Sequence, residues 1–133
     1  MRSVAKPAEN SRLVGAPWAM QFWATADAEP RLLVQTLTGA ILGCGGWVLS
    51  RGASDDGAVN VAFEFERRVC EDIYSILVAA GLNLCSPSHL RMTELCQCTR
   101  LNPFVSSTEI VSIELEVQTF PCELDSCAPT TYR

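Results

Sequence analysis

Four residues of this chain, Cys85, His89, Cys96 and Cys98, are of the types that hold a soft metal, and they stand near one another in the sequence. A zinc site needs four such groups converging on tetrahedral corners. The spacing here matches none of the common paired arrangements, and Cys96 and Cys98 fit the inward face of a strand read over 90–99. No metal and no cofactor are expected. Cys85 and His89 could also pair as nucleophile and base. His89 is the only histidine and follows Ser86-Pro87-Ser88 in a stretch read as a loop, the setting of a hydrogen-bonded surface residue. No catalytic residue is assigned. Glu64 with Glu66, and Glu114 with Glu116, form carboxylate pairs on single strand faces, but no neighbour is in view to desolvate them and raise a pKa. Gly43-Cys44-Gly45-Gly46 follows a helix, whereas a phosphate cradle precedes one, so it reads as helix termination.

The elements that must position these residues are legible in the apolar period. Trp18, Met20, Phe22 and Ala24 alternate with Ala19, Gln21, Trp23 and Thr25, predicting a strand over 18–25. Leu33, Leu37, Ile41 and Cys44 share one helical face, predicting a helix over 30–44 that opens on Pro30. A strand over 47–53 and one over 58–66 make a hairpin around Asp55-Asp56-Gly57. A second helix is read over 67–81, where Val69, Ile73, Ile76, Leu77 and Ala80 share a face. Val111, Ile113, Leu115 and Val117 give a strand over 110–119. The fourth core strand is either 90–99 or 110–119. Trp18 belongs with the core, while Trp23 points the other way, as an exposed aromatic at an interface or ligand shelf does.

Composition narrows the classes. The 133 residues are 48% hydrophobic and 19% charged, as a globular domain is. Residues 17–120 form one domain, with a flexible arm over 1–16 and a tail over 121–133. Net charge is −5, and Arg67-Arg68 is the only adjacent cationic pair, so phosphate backbones find nothing to grip. No apolar run reaches the ~20 residues of a membrane helix, and Met1 to Asn10 has no hydrophobic segment behind it. The reading is a cytoplasmic chain without nucleic-acid or membrane partners. Seven cysteines, an odd number in such a chain, read mostly as small core hydrophobes.

Strand, helix, strand, strand, helix, strand is the order of a ferredoxin-like β-α-β-β-α-β sandwich. The expected α+β fold is an antiparallel sheet with two helices on one face and an extra C-terminal strand. Gln21, Asn60, Glu64, Glu66, Glu114 and Glu116 would occupy the open face. Within that frame Asp27, Pro30, Leu33, Leu37 and the glycines at 43, 45 and 46 resemble the opening of an ACT domain, and residues 57–85 its third strand and second helix. The resemblance covers roughly 18–99. It implies a non-catalytic regulatory module, a homodimer paired through an edge strand, sensing an amino acid or other small carboxylate. The ligand would sit at Asp27, Glu29, Pro30 and Arg31. There the helix N-terminus offers amides, Arg31 a guanidinium, and Asp27 a cap or an ammonium partner. A small enzyme using His89, Glu64 or Glu66, and an interaction subunit without a small ligand, are the rival readings.

Overall fold

The computed structural model describes residues 18–101 and 108–120; the arm and the tail read from the sequence lie outside them. In chain order the elements are β1 (Trp18–Ala26), α1 (Pro30–Gly43), β2 (Trp47–Ala53), β3 (Ala58–Glu66), a 3₁₀ turn (Arg67–Val69), α2 (Cys70–Ala79), β4 (Asn83–Leu84), α3 (Ser86–Leu101) and β5 (Ile110–Thr119). The fold is α+β. Strands formed where apolar residues alternate, because the period of two puts Met20 and Phe22, Val61 and Phe63, or Ile113 and Leu115 on one side of the pleat. Phe22, Phe63, Phe65 and Ile113 are fully buried there, and burial of side chains this size stabilises by about 1.5–3 kcal/mol each.

The five strands run in the order β2-β3-β5-β1-β4. Here the structure corrects the all-antiparallel expectation. The last strand, β5, enters the middle of the sheet, parallel to β1 over Trp18–Ala26 and antiparallel to β3. The short β4, absent from the sequence reading, pairs with the end of β1. Placing the longest apolar strand in the centre gives it two partners and buries it fully on one face.

A second correction concerns 90–99. It is part of a third helix, α3, not a strand. Leu90, which a strand would have buried with Met92, is 61% exposed, while Ser88, Met92, Leu95 and Cys96 are buried at helical spacing. Glu94, which breaks the alternation, marks the misfit. The second helix is also shorter than read: Arg67–Val69 is 3₁₀, and Arg67 is 9% exposed.

α1 packs on β2 and β3, α3 on β1, and α2 lies between the two helices. The centre of the opposite face holds three cross-strand rows fixed by register. One is Gly52, Asn60, Glu116 and Trp23; the next is Ser50, Ala62, Glu114 and Gln21; the third is Trp47, Glu64, Ser112 and Ala19. Glu64 departs from the solvated role expected for it. It is 6% exposed and accepts a hydrogen bond from the Trp47 indole at 3.0 Å. The helix α1 can end this close to β3 because residue 46 is glycine: a Cβ there would stand 2.9 Å from Ile41 Cγ2 and 3.0 Å from the Glu64 carbonyl.

Candidate functional site

The turn singled out by sequence, Asp27 to Arg31, lies between two hollows. Pro30 opens α1, where its missing N–H removes no helical bond. The cap is Glu29, not Asp27. The Glu29 carboxylate accepts from Leu32 N–H at 2.8 Å and the Glu29 carbonyl from Leu33 N–H at 2.9 Å. The amides expected to greet a ligand are therefore largely taken by the protein's own chain. On one side of Arg31, Glu29, Pro30, Ser54, Asp55 and Asp56 line a hollow of about 350 Å³. Its three carboxylates repel an anion. The Asp56 carboxyl is held below the usual carboxylate range by the Ser54 hydroxyl, then by the Ala58 N–H. Asp27 lines neither hollow and has a partner of its own.

On the other side of Arg31 lies a groove of about 550 Å³ between α1 and the edge strand β2. Arg31, Val34, Gln35 and Thr38 line it from the helix, Arg51, Gly52 and Ala53 from the strand. Two local rules assemble it. Positions 31, 34, 35 and 38 form one stripe of α1 beside its buried face. Arg51 pairs with Val61, which places it on the helix-covered side of β2. An edge strand leaves that side open, so a long cationic side chain is tolerated there. Thr38 is 8% exposed and gives its hydroxyl proton to the Val34 carbonyl at 2.7 Å, leaving oxygen lone pairs and the Gln35 amide as further polar contacts.

The arginines of the described residues fall into two classes. Arg67 is paired with Glu109 at 2.8 Å, donates to Thr99 at 2.8 Å and lies 5.4 Å from the centre of the Trp18 ring. Arg68 pairs with Glu66, Arg91 with Glu94 and Arg100 with Glu71. Arg31 and Arg51 have neither an ion pair nor a side-chain hydrogen bond, and both line the same groove. Arg51 was missed by sequence reasoning; its signal is a cation in the strand register that faces the helices.

The residues first considered for metal or nucleophile chemistry are not brought together. Among the described residues no group of three His, Cys, Asp or Glu side chains could hold a metal ion. His89 packs against Tyr74 with the rings tilted by 58° and their centres 5.5 Å apart, and shares a 3.0 Å hydrogen bond with its hydroxyl. Cys85 sits at the start of α3, 3.1 Å from the Ser88 hydroxyl. That hydroxyl, then the Ser88 N–H, lowers the Cys85 thiol pKa. Its main job is structural, since Cys85 N–H and Ser88 Oγ together satisfy the backbone of Trp23 at the free edge of β1. Cys70 and Cys96 are buried side by side between α2 and α3. A hydrogen bond from Cys96 lowers the Cys70 pKa, and the same bond raises that of Cys96.

No family model, curated protein or solved structure matches the chain. No helix among the described residues is long and apolar enough to cross a membrane. The groove with Arg31 and Arg51 is the site with the most developed chemistry: two planar guanidinium forks, an amide and a hydroxyl around one concavity, in a chain of net charge −5.

Proposed function

We propose that this chain is a non-catalytic binding module for a small carboxylate, held in the groove between α1 and β2 by Arg31 and Arg51. One observation carries the reading: the two unpaired arginines of the described residues share a single hollow. Two guanidinium groups in one concavity repel each other, and an anion between them reverses the sign of the interaction. A carboxylate matches a guanidinium through two parallel hydrogen bonds. An amino acid is the ligand class that also uses the neighbouring hollow, its carboxylate on the arginine side and its ammonium toward Glu29, Asp55 and Asp56.

An ACT-like reading accompanies this. Without β5 the sheet order becomes β4-β1-β3-β2, with α1 and α2 as the crossovers of a ferredoxin-like unit, and the groove begins at the turn that the resemblance selected. On this reading β5 is a strand added to the middle of the unit, and the exposed β2 edge is where a second copy pairs. The test is calorimetric titration with a panel of amino acids, keto acids and dicarboxylates. Binding of at least one member, weakened about tenfold or more by Arg51→Ala, a loss of about 1.4 kcal/mol, supports the site. No binding across the panel, or binding indifferent to both Arg31→Ala and Arg51→Ala, overturns it.

A further inference from the structure

The sheet face turned away from the helices carries the opposite charge to the groove. None of its cross-strand rows contains a Lys, Arg or His. Glu114 and Glu116, on the central strand, are exposed and without ion pairs. Small neighbours leave two hollows beside them, of about 170 and 180 Å³, and Gln21 with Glu114 lines both. Ser112 supplies an independent observation. It is 5% exposed, lines the second hollow, and its hydroxyl has no hydrogen-bond partner. Buried hydroxyls are nearly always partnered, so this one points to a ligand group that completes it. At the end of the first row stands Trp23, 48% exposed.

We propose that this face docks an extended Lys- or Arg-bearing segment of a partner protein. One basic head group enters between Glu114, Gln21 and Ser112, and a neighbouring stem lies along Trp23. The chemistry is complementary at each point. An ammonium or guanidinium has only donors, Glu114 and the Gln21 and Ser112 oxygens are acceptors, and Trp23 offers a π face to a cation and an apolar surface to its methylenes. A second copy of this chain is excluded as a face-to-face occupant because it would set Glu114 and Glu116 against their own copies. The proposal does not rest on the carboxylate groove, which is made by α1 and the edge of β2.

The experiment is fluorescence anisotropy with a labelled Lys/Arg nonapeptide and its Asp/Glu counterpart, on the full chain, at two salt concentrations. Saturable binding of the basic peptide alone is expected, weaker at higher salt. Glu114→Gln with Glu116→Gln should weaken it by about tenfold or more, and Ser112→Val or Trp23→Ala by several-fold. Glu71→Gln with Glu94→Gln, which removes carboxylates already paired on the helical side, should leave it unchanged. Equal losses in the two double variants would show general attraction to an acidic protein and overturn the proposal. So would an affinity indifferent to Glu114 and Glu116, or no binding. A dimer dispersed by Glu114→Gln would assign the face to a second copy and overturn the proposal.

Discussion

The two ends of the sheet use arginine in opposite ways. Around the start of α2 and along α3, every described arginine is committed: Arg67 to Glu109 and Thr99, Arg68 to Glu66, Arg91 to Glu94, Arg100 to Glu71. Beside α1 and β2, Arg31 and Arg51 are uncommitted and share a groove. In an acidic chain, partners for a cation are plentiful, so leaving two guanidiniums unpaired in one concavity is informative. A paired, part-buried arginine stabilises the fold; an unpaired one in a hollow is available to a ligand. The same division separates Arg67 from Arg68 within the committed set. Arg67 is nearly buried and joins Glu109, just before β5, to Thr99 of α3 and to Trp18, whereas Arg68 is well exposed and its pair contributes little.

The largest effect that would test this division is on stability. Arg67→Ala removes the bonds to Glu109 and Thr99 and leaves the Glu109 carboxylate uncompensated. Because Glu109 keeps some contact with solvent, the expected cost is about 2–4 kcal/mol, below that of a fully buried pair. Arg31→Ala and Arg51→Ala should each stay within about 0.5 kcal/mol of the parent. Urea unfolding of the three variants measures both. Comparable losses in all three would erase the distinction between structural and available arginines.

A smaller effect belongs to Glu64. On sequence it was one of several solvated glutamates; in the fold it is buried and bonded to Trp47. Glu64→Ala should cost about 1–2 kcal/mol, whereas Glu116→Ala, on the same face and exposed, should cost about 0.5 or less. Chemical denaturation of the pair tells whether the open face is uniform or, as here, has a closed corner under Trp47.

Those contrasts also mark how far the sequence could be read. The strands over 58–66 and 110–119 were legible to the residue because alternation is a local property of a half-buried strand; the strand over 47–53 followed from its β-prone residues and the Asp55-Asp56-Gly57 turn, and β1 and α1 fell within a residue. The α3 error came from Leu90, Met92, Cys96 and Cys98, whose even spacing imitates a strand face that only Glu94 interrupts. The insertion of β5 between β1 and β3 leaves no local trace, since strand order is set by long-range pairing. The site was half legible. Arg31 could be found from the helix start, but Arg51 became relevant only when register turned it toward α1. Glu29 as cap was obscured because Asp27 is the better capping type, and only the backbone at Glu29, with φ −75 and ψ 130, decides it.

Two further effects are expected to be kinetic or slight. The Cys85 thiol, lowered by the Ser88 hydroxyl and N–H, should alkylate faster with iodoacetamide at neutral pH than Cys44, whose thiol is raised first by burial and then by Asp72. Ser88→Ala should narrow that gap, as read by mass spectrometry; an unchanged ratio would remove the assigned cause. At the rim of the acidic hollow, Asp56 has a folded-state pKa below its unfolded value of about 4. Its contribution is therefore in place above that value and is lost as pH falls through the folded one. Asp56→Ala should reduce the difference in melting temperature between neutral and acidic buffer slightly, and an unaltered difference would show that the turn carries no such linkage.

The central claim, that Arg31 and Arg51 are held available while the other described arginines are committed, is tested most directly by following the arginine Nε–Hε resonances during titration with acetate and then succinate. The expected result is saturable shifts at Arg31 and Arg51, larger with succinate, with Arg67, Arg68, Arg91 and Arg100 unmoved. Shifts spread evenly over all six, or confined to the paired arginines, would contradict it.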